Sequence, residues 1–286
     1  MATSNIQLIV TDLDDTLWNW FDTWYSGFSA LIDSLVEESG LPRDVLLDEA
    51  RAVHQERGTS EYSFLVDEMP SLRAMAAPEL PRDRFSRSIH RQNSARLHSI
   101  RLFPEVRESL ERLKLLEIPV VAYTESQSFW TLWRMKKLGL DGLIKTIYSS
   151  PDHPFPLGLK PEDVRRYPES EYRLMRTKLE DTPEGVLKPS PEILSSILAS
   201  EGVEADRCLY VGDSLMKDVA MALETGVVAV FAEYGSHRSD DQYDLLRWVT
   251  HWQDSDVARE AEMDQDRTVI PDLTLRESFA EILDHV

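Results

Sequence analysis

The sequence holds a single cysteine and no long hydrophobic run. Cys208 cannot form a disulfide within the chain, and its place in the apolar run Arg-Cys-Leu-Tyr-Val is typical of a small buried hydrophobic residue. No apolar stretch reaches the roughly 20 residues of a membrane span, and Asp12 comes before a signal-peptide core could form. These absences predict a cytoplasmic protein that contacts no membrane.

Positive charge is scarce as well. The 286 residues include 51 acidic and 31 basic side chains, a formal net charge of -20 at pH 7. Proteins that bind nucleic acids grip the phosphate backbone with Lys and Arg, so this balance argues against a nucleic-acid partner and an anionic membrane surface. Because 42% of the residues are hydrophobic, the chain can bury a large core. The composition indicates a globular protein, and it leaves monomer and homodimer both open.

Short apolar runs alternate with amphipathic helical patterns along much of the chain. Helical spacing of apolar residues marks 105–117, 129–138 and 191–200. The strand-like runs are 8–10, 120–123, 143–148, 208–211 and 227–231. This alternation predicts an α/β fold with a Rossmann-like parallel sheet core flanked by helices, whose site lies at the carboxyl ends of the strands.

Two segments interrupt the alternation. Residues 18–100 have helical patterns only, which predicts an inserted α-helical domain, so the core would comprise 1–17 and 101–286. Residues 151–185 carry six of the fifteen prolines and predict an irregular insertion with one helix near 172–179. Residues 233–286 are polar but retain helical spacing, and we expect this extension to fold onto the core.

The first strand-like run is followed by two carboxylates, Asp12 and Asp14, in the segment Asp-Leu-Asp-Asp-Thr. In an extended backbone, residues two apart point to the same side. Two such carboxylates suit a divalent cation such as Mg2+, which takes oxygen ligands. The alternative is that one of these polar residues caps a helix that starts near Leu17.

Three further signals follow in order. Thr124 ends the second strand-like run, Lys188 stands before Pro-Ser-Pro and a predicted helix, and Gly212-Asp213 ends another strand-like run with Asp218 five residues on. Each is weak alone, because such a threonine is usually a turn or cap residue, such a lysine a solvated charge, and such an aspartate a cap. Lys160, which precedes Pro161, is a rival for the lysine position.

Taken together in this order, the four motifs resemble those of the haloacid dehalogenase-like hydrolase superfamily, and within it the phosphatases. The resemblance covers about residues 5–17 and 102–232, and the helical insertion resembles that family's C1 cap. It implies Asp12 as nucleophile, Asp14 as general acid and base, and Thr124 and Lys188 as ligands of the phosphoryl group. It also implies Mg2+ as the cofactor. Its site would be formed by Asp12, Asp14 (through its backbone carbonyl), Asp213 and Asp218, with Asp218 in an outer position.

The resemblance implies a Mg2+-dependent phosphatase that hydrolyses a small phosphorylated metabolite. A phosphotransferase or mutase of the phosphoglucomutase type and a non-catalytic binding protein stay open as alternatives, whereas dehalogenation would need neither Asp14 nor a metal. Glu125 stands where many relatives carry Asn, so it either points away from the phosphate or touches substrate. In the helical insertion, Arg84, Arg87 and Arg91 share one predicted helical face and are candidate substrate ligands, the alternative being a solvated face.

Overall fold

The computed structural model describes residues 6–156, 159–160, 162, 165, 167–236, 240–252 and 269–286. Its backbone divides into two compact units. The first comprises Met1–Asn19, Arg101–His237 and Arg267–Val286, and the second comprises Trp20–Ile100 and Arg238–Asp266. Among the residues described, no helix is both long enough and apolar enough to cross a membrane.

The first unit is built on a parallel seven-stranded sheet with the order β4-β3-β2-β1-β5-β6-β7. The strands are β1 (Leu8–Thr11), β2 (Val120–Gln127), β3 (Thr146–Ser150), β4 (Lys178–Asp181), β5 (Cys208–Gly212), β6 (Val228–Ala232) and β7 (Leu273–Leu275). The central strands β1 and β5 are buried along their whole length, which explains why they read as continuous apolar runs. The predicted α/β fold with a Rossmann-like sheet is therefore confirmed.

Helices of the first unit follow the strands in the alternation that the sequence predicts. They are α7 (Val106–Leu115), α8 (Ser128–Lys137), α9 (Pro191–Glu201) and α10 (Ala220–Thr225), with a π-helical turn at Leu215–Val219 and 3-10 turns at Glu169–Glu171, Ala205–Arg207, Glu233–Gly235 and Phe279–His285. Leu194 and Ile197 of α9 pack with Leu8 and Tyr210 in the core cluster of the unit. Ser190 caps α9 by accepting a hydrogen bond from the Ile193 backbone N–H.

The insertion at 151–185 ends in a strand, so the expectation of a helix near 172–179 is wrong. Strand β4 pairs with β3, from Thr146 opposite Lys178 to Ser149 opposite Asp181. The Asp141 carboxylate accepts hydrogen bonds from the backbone N–H groups of residues 175–177, which turns the chain into this pairing. Because β4 is polar and lies at the sheet edge, its sequence carries no hydrophobic signal of a strand.

The regular elements among the described residues of the second unit are all helices. Its helices are α1 (Trp20–Ser39), α2 (Arg43–Arg57), α3 (Leu65–Glu68), α4 (Pro70–Ala76), α5 (Pro81–Arg84), α6 (Ser86–Ser99) and α11 (Asp240–Val249). Helix α6 packs along α1, where Gly27 makes room for Arg96: a Cβ at Gly27 would lie 2.6 Å from the Arg96 Cγ. A stacked pair of rings, Trp24 and Phe28, fills the interior of the unit.

Helix α11 changes the expected domain boundaries. The sequence predicts that residues 233–286 extend the core, whereas α11 lies in the second unit, where it packs on α2. The buried His54 ring is within 2.6 Å of the Val249 carbonyl oxygen, and Trp248 donates to Asp48 at 3.0 Å. The helical spacing of Leu246 and Val249 indicates that the helix packs on a partner, but not which partner.

His54 makes the stability of the second unit sensitive to acid. Burial lowers its pKa from 6.5 to about 4, against the opposing effect of the hydrogen bond to Val249. Because the folded pKa lies below the unfolded one, this stability is fully present above pH 6.5 and is lost as the pH falls towards 4. We expect His54→Gln to remove up to about 3 kcal/mol of this pH dependence. Urea unfolding of both proteins at pH 7.5 and 4.5 measures it, and the exposed His98→Gln is the matched control.

Candidate active site

The candidate site lies at the carboxyl edge of the sheet in the first unit. Asp12 directly follows β1, and its backbone N–H donates to the Val211 carbonyl of β5 at 2.8 Å. Thr124 lies within β2, Asp213 follows β5, and Lys188 precedes α9. Parallel strands end on one edge, so motifs from distant parts of the chain converge there, as the sequence predicts.

A buried ammonium group joins two of these motifs. Lys188 Nζ donates to Asp12 Oδ1 at 2.6 Å and to Asp218 Oδ1 at 2.9 Å, and the lysine side chain is 3% exposed. Burial works to lower the pKa of Lys188, but Asp12 and Asp218 hold it well above its ordinary value. Lys188 is therefore charged, whereas the rival Lys160 is exposed at the surface.

Asp218 is held by further donors. Its Oδ1 also accepts from the Tyr210 hydroxyl at 2.9 Å, and its Oδ2 accepts from the Ser214 backbone N–H at 3.2 Å. Gly212 allows this carboxylate to approach the end of β5, since a Cβ there would lie 2.3 Å from the Asp218 Cγ. The sequence analysis did not single out Tyr210, and the one available sign of its role was a hydroxyl group in an otherwise apolar strand.

Carboxylate oxygens of Asp12, Asp213 and Asp218 lie within 4.8 Å of one another. Burial raises the pKa of Asp12 well above its usual value, and the carboxylates of Asp218, Asp213 and Asp14 act in the same direction against Lys188. Such crowding is what a divalent cation relieves, and the oxygen ligands suit Mg2+. The donor set thus fits the predicted metal.

Asp14 faces different partners from Asp12. Strand β1 ends at Thr11, and the following turn contains Asp15 with a φ of 55°. The Asp14 carboxylate accepts from Trp18 Nε1 at 2.6 Å and from the Ser126 hydroxyl, and Arg134 NH1 lies 3.6 Å from it. Helix α1 begins at Trp20, so Asp14, Asp15 and Thr16 are not its N-cap, and that alternative is wrong.

Strand β2 is irregular where it reaches the site. Thr124 pairs with Ser149 and Gln127 with the next residue, Ser150, so Glu125 and Ser126 are two extra residues in β2. Such bulges re-aim side chains. Ser126 reaches Asp14, and its backbone N–H donates to the buried Thr124 hydroxyl at 3.1 Å.

Both oxygens of Glu125 have donors. Oε1 accepts from the Lys188 backbone N–H at 2.7 Å, and Oε2 accepts from Lys217 Nζ at 2.7 Å. Burial acts to raise the pKa of Glu125, but Lys217 and Lys188 outweigh it and hold the pKa below its usual value. Glu125 is therefore an anion that links the end of β2 to the loop carrying Lys188 and to the turn after β5.

Not all candidate residues belong to this cluster. Arg87 and Arg91 lie on α6 of the second unit, where they pair with Glu38 at 3.9 Å and Glu37 at 2.7 Å. Arg84 ends α5 and does not share their helix, because the buried Phe85 interrupts it with φ -101° and ψ 26°. The three arginines therefore do not lie on one helix as expected, and their role toward substrate stays a prediction.

Arg134 is a site residue that the motifs in the sequence did not indicate. It lies on α8 with a side chain only 1% exposed. The available signal was its spacing, since Trp130, Thr131 and Arg134 lie three or four residues apart on the buried face of that helix. A charged residue on an apolar helix face indicates a buried partner, and here Asp14 is one.

A model of the haloacid dehalogenase-like hydrolase family matches residues 6–226, which include every motif of the site. The chain belongs to the haloacid dehalogenase-like hydrolases. Among solved structures of similar fold, the 2-haloacid dehalogenase from Pseudomonas syringae pv. Tomato DC3000 shares 20% identity with a TM-score of 0.56, over 98% of this chain and 97% of that one. The putative hydrolase YfnB from Bacillus subtilis, solved bound to magnesium, shares 14% identity with a TM-score of 0.52, over 98% and 97%.

The matches of this hydrolase to curated sequences cover only a short part of the chain. The mouse and rat proteins named phospholysine phosphohistidine inorganic pyrophosphate phosphatase are each 38% identical over 60 residues. The match spans 21% of this chain and 22% of the length of each relative. A match of this length transfers neither activity nor substrate to this chain.

The buried ion cluster formed by Lys188, Asp12 and Asp218 predicts that removing Lys188 lowers the stability of the protein strongly. Lys188→Met leaves Asp12 and Asp218 buried without their cation, and breaking such a pair costs about 3–5 kcal/mol. We expect the free energy of unfolding to fall by a corresponding amount, as measured by urea titration at pH 7.5 with tryptophan fluorescence as the signal. Lys160→Met removes an exposed lysine and should change the free energy of unfolding by less than about 0.5 kcal/mol. Equal effects of the two substitutions would contradict the buried ion cluster.

Proposed function

We propose that this hydrolase is a Mg2+-dependent phosphatase that acts on a small phosphorylated metabolite through an aspartyl phosphate at Asp12. The observation that carries the proposal is the convergence of Asp12, Lys188, Asp213 and Asp218 at the carboxyl edge of the sheet. A nucleophilic carboxylate, a fixed cation and a cluster of oxygen ligands are together the equipment for phosphoryl transfer.

The charge of the site supports the metal. In the cluster at the sheet edge, the carboxylates of Asp12, Asp213 and Asp218 stand against the ammonium group of Lys188, an excess of two negative charges among these described residues. One divalent cation would balance this excess. Asp12, Asp213 and the Asp14 backbone carbonyl would hold it, with Asp218 in an outer position, since Lys188, Tyr210 and Ser214 already donate to Asp218.

In the first step, an Asp12 carboxylate oxygen attacks phosphorus while the bond from phosphorus to the ester oxygen breaks. Asp14 gives its proton to the leaving oxygen, so the product is an alcohol. Lys188 would shift from Asp12 towards the phosphoryl oxygens, and the Thr124 hydroxyl would bind them as well. Bound Mg2+ supplies charge neutralisation between the nucleophile and the phosphate.

In the second step, water attacks the phosphorus of the aspartyl phosphate and the bond to Asp12 breaks. Asp14 accepts the proton of that water, which restores both carboxyl groups and releases inorganic phosphate. Glu125 stands beside the phosphate without repelling it, because Lys217 and the Lys188 backbone N–H already engage its oxygens. In this proposal Glu125 braces the Lys188 loop.

Asp12→Asn tests the nucleophile. We expect p-nitrophenyl phosphate hydrolysis to fall by about a thousand-fold or more, because an amide oxygen is a far weaker nucleophile than a carboxylate. Asp206→Asn removes the same charge at the amino end of β5 and should retain activity. Phosphate release is the measurement, and chloride release from 2-chloropropionate is a parallel assay expected to be negative. Undiminished phosphatase activity in the Asp12→Asn protein would refute the assignment.

Asp213→Asn tests the metal site without relying on turnover. After dialysis against EDTA, added Mg2+ should raise the melting temperature of the wild-type protein, because a cation that binds only the folded state stabilises it. We expect that shift to shrink strongly in Asp213→Asn and to persist in Asp206→Asn. An identical Mg2+ response in all three proteins would place the cation elsewhere.

A further inference from the structure

We propose that Arg134 is a positioning residue that anchors Asp14 by one carboxylate oxygen, so that the other oxygen faces the proton transfer. This inference rests on the proposed function, in which Asp14 exchanges a proton with the leaving group. It adds a consequence that the family's motifs do not state: Arg134 matters most for phosphate esters whose leaving group needs that proton.

The two oxygens of Asp14 have unlike partners. Trp18 Nε1 donates to Oδ1 at 2.6 Å, and Arg134 NH1 lies 3.6 Å from the same oxygen. Ser126 contacts Oδ2 through its hydroxyl. The indole N–H can only donate, and the guanidinium places a positive charge beside Oδ1, whereas a hydroxyl can donate or accept by rotating. Oδ1 is therefore the anchored oxygen, and Oδ2 is the oxygen that can carry the transferred proton.

The anchoring groups are themselves rigid. The Trp18 side chain is fully buried, and the Asp15 backbone N–H donates to the Trp18 carbonyl at 2.8 Å, which closes the turn that carries Asp14. Arg134 lies on α8, which follows β2 without a break. The anchor therefore joins the first motif to the element after the second, and it restrains the Asp14 carboxylate from two sides.

Space filling alone does not account for Arg134. Removing a guanidinium from water is costly, and an apolar residue of similar volume usually packs as well or better at a buried position. A charge at this position is useful when it acts on another charge. Here that charge is Asp14, which stands beside a cluster already crowded with the carboxylates of Asp12, Asp213 and Asp218.

Proton donation has a distinct kinetic signature. When the bond to the leaving oxygen breaks, p-nitrophenolate departs readily without a proton, whereas the more basic phenolate gains more from one. Misplacing Asp14 should therefore slow phenyl phosphate more than p-nitrophenyl phosphate. A substitution that merely loosened the fold would slow the two esters equally, because they share the phosphoryl group and nearly the same shape.

Arg134→Met is the test, with kcat/KM measured for both esters in the Mg2+-loaded protein, because both esters form the same aspartyl phosphate and kcat/KM reports the step in which the leaving group departs. We expect the ratio of kcat/KM for p-nitrophenyl phosphate to kcat/KM for phenyl phosphate to rise by about tenfold or more, a fraction of what general acid catalysis contributes. Met135→Ala damages the same buried face of α8 without removing a group that contacts Asp14, and its ratio should stay at the wild-type value. A normal ratio in the Arg134→Met protein would overturn the inference.

Arg134→Gln provides a second variant should Arg134→Met fail to fold. It keeps a polar side chain and removes the positive charge beside Oδ1, so the ratio should rise in the same direction. An unchanged ratio in a folded Arg134→Gln protein would also overturn the inference. A wild-type protein that hydrolyses neither ester would instead refute the proposed function, which separates the two failures.

Discussion

A buried ammonium group between two buried carboxylates is the constraint on which the site depends. Lys188 can remain charged at 3% exposure only because Asp12 and Asp218 accept from it directly. That requirement brings three separate chain segments to one point at the sheet edge. Surrounding polar groups then have to provide the remaining hydrogen bonds of these three charged groups, as Tyr210 and the Ser214 backbone N–H do for Asp218.

Two residues at the irregular end of β2 contact the groups on either side of the site. Its two extra residues project to different neighbours: Glu125 to the backbone of Lys188 and the side chain of Lys217, and Ser126 to Asp14. Because a bulge re-aims the side chains of the extra residues, this short segment braces the loop of Lys188 through Glu125 and contacts the proposed proton carrier Asp14 through Ser126.

Sequence patterns located the sheet and its motifs because parallel strands are buried on both faces. Runs such as Leu8–Thr11 and Cys208–Gly212 are buried throughout and mostly apolar, and each is followed by a carboxylate. The edge strands β4 and β7 were not predicted, since Lys178–Asp181 is polar and Leu273–Leu275 is only three residues long. Helix α11 was recognisable as amphipathic, but its packing on α2 was not, because periodicity reveals a buried face and not its partner.

The sequence by itself determined the parallel α/β architecture, the family, and the motifs that supply Asp12, Asp14, Thr124, Lys188 and Asp213. Apolar periodicity and short motifs carry that information, because each depends on residues close together in sequence. Only the tertiary structure decided which groups touch. Arg134 pairs with Asp14 across 120 residues and Glu125 with Lys217 across 92, since long side chains reach partners that the fold brings near. Contacts of that range depend on strand order and on a local bulge, and neither can be read from spacing along the chain.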